Sequence, residues 1–244
     1  MDTPLFSIIT VTYNAEATVG RTLDSVAEQT CRRFEQIIID GASTDRTLDI
    51  AIEKATDMAL IQSKPDNGLY YAMNDAISHA QGEYLIFLNA GDKFHSPDTL
   101  QQIADVIEAN GHPDTVYGQT DIVDADGRFV SHRHLTAPER LTLDSFKDGM
   151  VVCHQAFIPK RAIAGFYNHA YRYSADYEWC IICLQHSRSN VMVPGVLIDY
   201  LNEGQTTRHH RQSLLERYRI MCHYFGTLPT IGRHVKFFFR NLRR

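Results

Sequence analysis

The chain has 244 residues, 44% hydrophobic and 22% charged, the balance of a globular fold long enough for one large domain with a real core. That composition excludes a disordered or collagenous chain, and no apolar run approaches the roughly 18 residues a membrane-spanning helix needs. A net charge of −5 likewise excludes a uniformly basic nucleic-acid binder. In chain order, FSIITV (6–11) is a β-branched run that predicts a strand buried on both faces. Val19, Leu23 and Val26 then repeat at helical spacing, with Asn14 as a candidate cap. QIIID (36–40) predicts a second strand, and Ser43, Thr44 or Asp45 can cap a helix from about Arg46. MALIQ (58–62) predicts a third strand, 70–80 a helix, EYLIFL (83–88) a fourth strand, and Pro97 opens a helix to about Ala109.

Four strand–helix alternations predict a doubly wound, mostly parallel α/β sheet. After them the pattern changes. Asp126–Gly127 is a hairpin signal that predicts antiparallel strands added to the sheet. MVVCHQAFI (150–158) reads as a further strand, 176–186 as a helix, and 191–201 as one or two short strands. Two amphipathic helices, about 210–225 and 230–243, form a helical C-terminal extension.

Charge divides along the same line. Residues 205–244 hold nine Lys/Arg and one acid, Glu216, whereas the remainder holds 15 basic and 28 acidic residues. The tail therefore suits an anionic partner. In HVKFFFRNLRR, phenylalanines beside Lys236, Arg240, Arg243 and Arg244 fit an interfacial helix on an anionic membrane surface. The competing reading packs those rings on the body and leaves the cations in water. No nucleic-acid recognition module accompanies the charge. MDTPLFS lacks the flank and core of a signal peptide, so a cytoplasmic place is expected. Cys31, Cys153, Cys180, Cys183 and Cys222 show no disulfide framework, and the lone CxxC at 180/183 reads as reduced core thiols.

The chemistry concentrates in PDNGLYYAMNDAISHAQGEYLIFLNAGD (65–92), where a strand ends in an aspartate. A carboxylate there sits where open α/β sheets bind ligands, and beside a diphosphate it can hold a divalent cation. With SIITVTYNAEATVGRTLDSVAEQT and IIIDGASTDRT before it, this segment resembles the family-2 glycosyltransferases with the GT-A fold. Within them the chain is most similar to bacterial enzymes of exopolysaccharide and lipopolysaccharide assembly, including the colanic-acid type. The resemblance covers roughly residues 6–200 and implies a GT-A domain over 1–204. Its nucleotide-binding half is about 1–110, its acceptor half about 111–204, and a basic tail follows over 205–244.

Residue by residue, the resemblance puts Thr12, Tyr13 and Asn14 in the loop that approaches the nucleotide, where Tyr13 can stack on a base or simply fill a turn. Asp40 matches a carboxylate near base and ribose, although position 41 is Gly where the family commonly has a second acid. Asp66, Asn67 and Gly68 match a turn facing the nucleotide, and Asn74 a polar position on the next helix. Asn89, Ala90, Gly91 and Asp92 stand where the family carries an Asp-x-Asp-Asp-like run. Asp92 is left to hold Mg²⁺ or Mn²⁺, with Asn89 and Gly91 lining the donor site. Asp176 matches the catalytic base, and His154–Gln155 a pair leading into the acceptor region.

These matches imply a metal-dependent, inverting glycosyltransferase, by resemblance a hexosyltransferase. Its donor would be a UDP- or GDP-sugar, its acceptor a glycan or lipid-linked oligosaccharide, its place the inner face of the plasma membrane. A sugar-phosphate nucleotidyltransferase would need a Gly-rich phosphate loop that SIITVTYNAE lacks. The replacements at 89 and 91 keep open a catalytically silent nucleotide-sugar-binding or membrane-tethering protein of the same fold. His209–His210 read as solvated histidines at a helix start.

Overall fold

The computed structural model describes residues 3–57, 59–201 and 210–242, with side chains described in these except at 210 and 235–242. Strand β1 (Phe6–Thr12) is buried at all seven positions, as its β-branched run requires. It pairs in parallel with β2 (Phe34–Asp40) on one side and β4 (Tyr84–Phe87) on the other, and β3 (Leu60–Ser63) pairs in parallel with β2. The order is β3-β2-β1-β4. Alternation along β2 sends Ile37 and Ile39 to the main core, and Ile38 to a second cluster with Val19, Leu23 and Ala51. The latter three lie on α1 (Val19–Ala27) and α2 (Thr47–Lys54), while α3 (Leu69–His79) joins the main core through Tyr70, Met73 and Ile77. Both faces of the sheet are thus covered, and the winding is double.

The second half builds a mixed sheet. β6 (Thr115–Val123) pairs antiparallel with β7 (Phe129–His132) around the expected Asp126–Gly127 turn. It pairs in parallel with β9 (Asn190–Leu201), which in turn pairs with β5 (Lys93–Phe94), a two-residue strand too short to read from sequence. α4 (Thr99–Ala109) lies between β5 and β6 in the chain. β8 (Phe157–Pro159) pairs antiparallel with β6, and an antiparallel bridge from Tyr84 to Lys160 joins the two sheets. The strand expected over 150–158 is therefore corrected to β8 alone, preceded by a 3₁₀ turn at His154–Ala156. An extended run would send alternate side chains to opposite faces, whereas this turn buries His154, Gln155 and Ala156 together.

α5 (Ala175–His186) is followed, beyond β9, by α6 (His210–Phe225) and α7 (Thr227–Leu242). Gly226, at φ +85°, ends α6 in the left-handed conformation that glycine adopts without strain. The expected helices are there, and α6 is fastened to the body: Ile220 and Met221 belong to the main core. The segment NEGQTTR and His209 lie outside the described residues. All five cysteines are free thiols, and no helix among the described residues is long and apolar enough to cross a membrane.

Candidate active site

Register places Thr12, Asp40 and Ser63 in one row at the carboxyl edge of the parallel sheet. Asp40 is fully buried there and accepts four hydrogen bonds: Thr12 Oγ1 at 3.0 Å, Ser43 N–H at 2.9 Å, Ser63 Oγ at 2.6 Å and Ser43 Oγ. Burial pushes its carboxyl up, but the donors from Ser43, Ser63 and Thr12 outweigh that and hold it below the usual range. Both of its oxygens are thus engaged inside the protein. Asn14 is engaged likewise. At φ 47° its Oδ1 accepts the Thr44 N–H at 2.9 Å, and its own N–H donates to Ser43 Oγ at 2.8 Å, so it ties two loops instead of capping α1.

What remains open to a ligand on this side is a rim. Tyr13 is 65% exposed beside buried Thr12. A Cβ at Gly41 would lie 2.8 Å from Asp66 Oδ2 and 3.3 Å from Tyr13 Cδ2, so Asp66 occupies the space of the absent second acid. Asp66 Oδ1 accepts the Gly68 N–H at 2.7 Å, and Gly68 takes φ +124° as it caps α3. Asp66, Asn67 and Gly68 are all exposed.

The NAGD turn is pinned from α1. Thr22 Oγ1 donates to the Asp92 carbonyl at 2.7 Å and accepts the Gly91 N–H at 2.8 Å. Gly91 has φ +104°, and a Cβ there would sit 2.5 Å from Leu201 Cδ2, which explains why this position carries no acid. Gly91 therefore serves packing in this turn. Asp92 is 3% exposed, its Oδ1 accepting the Leu201 N–H at 2.9 Å and its Oδ2 the Gln155 side-chain N–H at 2.7 Å. Burial raises its pKa to about 7 against the pull of those donors and of Arg21. Asn89 Oδ1 is buried and, among the described residues, without a hydrogen-bond partner.

On the far side, Asp176 stands in the first turn of α5, half-buried, with Oδ1 accepting the Tyr70 hydroxyl at 3.1 Å. Tyr70 stacks on Tyr167 at 5.4 Å, and Tyr167 stacks on Trp179 at 5.0 Å. The Tyr167 hydroxyl meets His154 Nε2 at 2.6 Å. Burial lowers the His154 pKa to about 4, so the ring is neutral at physiological pH. His154 and Gln155 are each 5% exposed. The pair is internal and stands between the two acids, Gln155 on Asp92 and His154 on the aromatic stack behind Asp176. The Asn74 amide brackets the Tyr167 backbone at 2.9 and 2.7 Å and meets His169 at 2.7 Å. Tyr70, Tyr167 and Thr22 are the site residues that sequence reasoning missed. Tyr70 lay inside the most informative segment, but its helical spacing with Met73 and Ile77 reads as core.

Among the described residues no group of three His, Cys, Asp or Glu could hold a metal ion by itself. The oxygens present fit a hard cation shared with a diphosphate: the carboxylate of Asp92 retains lone pairs, and Asn89 Oδ1 is an acceptor without a partner among the described residues.

Residues 7–172 match the model of glycosyl transferase family 2. A PGL/p-HBAD biosynthesis glycosyltransferase of Mycobacterium bovis is 34% identical over 209 residues, covering 83% of this chain and 78% of that protein. A putative teichuronic acid biosynthesis glycosyltransferase of Bacillus subtilis is 32% identical, over 64% of this chain and 63% of its own. Among solved structures, S. aureus TarS 1–349 in complex with UDP-GlcNAc superposes with a TM-score of 0.72 at 23% identity, over 88% of this chain and 64% of that one. The mannosyltransferase PcManGT of Pyrobaculum calidifontis, in complex with GDP-Man and Mn²⁺, gives 0.60 at 18% identity, over 96% and 74%. The α/β winding is that of the GT-A glycosyltransferases, and the chain belongs to glycosyl transferase family 2.

Proposed function

We propose that this glycosyltransferase is inverting and moves a hexosyl unit from a UDP- or GDP-sugar to a hydroxyl of a growing, lipid-linked bacterial glycan. The observation that carries the reading is one helix start with two uses. Gly68, the cap of α3, belongs to the exposed rim with Tyr13, Asp66 and Asn67, and Tyr70 two residues on holds Asp176. Donor and base are thereby brought to the same short stretch of chain. Asp176 takes the proton of the acceptor hydroxyl as that oxygen bonds to the anomeric carbon. The bond from that carbon to the phosphate oxygen breaks, and its electron pair leaves with the nucleoside diphosphate. Attack opposite the leaving group inverts the configuration. Mg²⁺ or Mn²⁺ held by Asp92 and Asn89 together with the donor would supply neutralisation of the charge on the leaving group.

Neighbours bound to UDP, UDP-GlcNAc and GDP-Man support a nucleotide-sugar donor. Relatives named for PGL/p-HBAD and teichuronic acid biosynthesis support a glycan product. The C-terminal helices support a station on the inner membrane face: Leu214, Leu215, Leu228 and Ile231 are exposed on the basic tail. Cosedimentation with phosphatidylglycerol vesicles, absent with phosphatidylcholine alone, is the expected result there.

The test of the core reading is a thermal-shift and turnover screen of UDP-glucose, UDP-N-acetylglucosamine and GDP-mannose with and without Mn²⁺. Asp92→Ala and Asp176→Ala are expected each to abolish turnover, while only Asp92→Ala weakens the Mn²⁺-dependent donor shift. Equal loss of donor affinity in both variants would refute that division of labour.

A further inference from the structure

We infer that Tyr70 on α3 and Glu216 on α6 are positioning residues for the Asp176 carboxylate, the first by direct contact and the second through the backbone before α5; the inference rests on Asp176 being the base. On one side the contact is direct, the Tyr70 hydroxyl donating to Asp176 Oδ1 at 3.1 Å. Tyr70 is itself immobilised. It is 6% exposed and stacks on Tyr167, whose backbone is bracketed by Asn74 and whose hydroxyl meets His154. Burial pushes the Tyr70 hydroxyl well above its ordinary range, so it stays protonated and donates at any working pH. The Tyr70 contact thus fixes the carboxylate through its Oδ1.

The other hold is on the backbone that launches α5. The carboxylate of Glu216 accepts the N–H groups of Arg172 and Tyr173 at 2.9 and 2.8 Å. Ser174, the cap residue of α5, bonds Ser213 at 2.9 Å through the two hydroxyls and donates to its carbonyl at 3.2 Å. In the first turn of α5, Tyr224 donates to Glu178 Oε1 at 3.0 Å, and Ile220 and Met221 are buried in the core. α6 therefore grips the three residues before α5 and the helix itself. Asp176 lies two residues beyond Ser174, so a shift in that segment moves the carboxylate. α6 lies outside residues 7–172, the span that the family model matches. A carboxylate placed an ångström away from its proton donor costs on the order of 100-fold in rate.

The experiment measures Mn²⁺-supported hydrolysis of UDP-glucose, UDP-galactose, UDP-N-acetylglucosamine and GDP-mannose without acceptor, water serving as the nucleophile. UDP and GDP affinities and urea stability are measured alongside. Tyr70→Phe keeps the stacked ring and removes only the donor, and Glu216→Gln keeps the shape and breaks one of two backbone contacts. Each is expected to lower turnover about 10-fold at unchanged donor KM and nucleotide affinity. A merely structural role would instead move stability and KM together. Wild-type turnover in both variants, with Asp176→Asn inert, overturns the inference and leaves the base reading standing. An active Asp176→Asn, or a wild-type chain that hydrolyses no donor, removes the base reading and the inference with it. Should Tyr70→Phe unfold, Glu216→Gln decides alone.

Discussion

The carboxyl edge of the parallel sheet and the α3–α5 wall meet at Gly68, yet they use their acids in opposite ways. At the edge, Asp40 is buried and accepts four hydrogen bonds, so it organises the loops after β1 and β2. On the wall, Asp176 is half-buried, anchored through one oxygen by a single hydroxyl. Asp92 is intermediate: buried and doubly bonded, but with its carboxyl raised to about 7. Three aspartates that look alike in sequence divide into a structural hub, a poised buried acid and an open one. What separates them is the number of donors each environment supplies against the burial it imposes.

The sharpest way to break this contrast is at the open acid. Asp176→Asn should leave urea stability within about 0.5 kcal/mol, since an amide keeps the Tyr70 contact and the position is only half-buried. Turnover should fall by on the order of 10²–10⁴, the range a positioned general base contributes. Next in size is the hub. Asp40→Ala removes the acceptor of the Ser43 N–H and of three hydroxyls, of which only that of Thr12 belongs to a buried residue, and roughly 1–3 kcal/mol of stability should go with it. Urea denaturation measures this, and a loss below about 1 kcal/mol would sink the assignment of Asp40 as a hub.

The sequence made the division of labour only half legible. Strands and helices of the first half were readable because β-branched runs and helical apolar spacing report burial directly, as in FSIITV and Val19–Leu23–Val26. The 150–158 segment was misread because MVVC is an apolar run, and periodicity cannot register that His154 and Gln155 find partners in Tyr167 and Asp92. The same blindness hides the partners of Asp40, Asn14 and Asn74. Which neighbour such a polar side chain bonds depends on contacts some 30 or 93 residues away in the chain.

The poised acid gives a pH test. The folded pKa of Asp92, about 7, lies above its unfolded value near 3.8, so between these the native state binds the extra proton. Stability from this group is fully present below about pH 4 and is lost as pH rises through 7, at most about 1.4 kcal/mol per pH unit. Urea midpoints of the metal-free chain should therefore decline from pH 5 to 8, and Asp92→Asn should flatten the decline. A cation bound to the ionised carboxylate opposes it, so Mn²⁺ should stabilise the wild-type chain more at pH 8 than at pH 6. A Mn²⁺ effect equal at both values would argue against Asp92 as its ligand.

The smallest effect separates backbone from side-chain causes in the turn that carries Asp92. Gly91 is constrained twice, by φ +104° and by Leu201 Cδ2, which a Cβ would approach to 2.5 Å. Gly91→Ala should cost about 1–2 kcal/mol, of which the conformational part is intrinsic and the steric part belongs to one flexible methyl. Leu201→Ala removes that methyl, so the double variant should recover the steric part alone, and a thermodynamic cycle in urea measures it. Full recovery would mean the left-handed turn is not strained for alanine. An acid at position 91 would then be excluded only by packing, and Gly91→Asp with Leu201→Ala should restore a second carboxylate beside Asp92 and raise Mn²⁺ affinity. No recovery would mean that the backbone itself forbids the acid, leaving this chain to work with the carboxylate at Asp92 and the amide oxygen of Asn89.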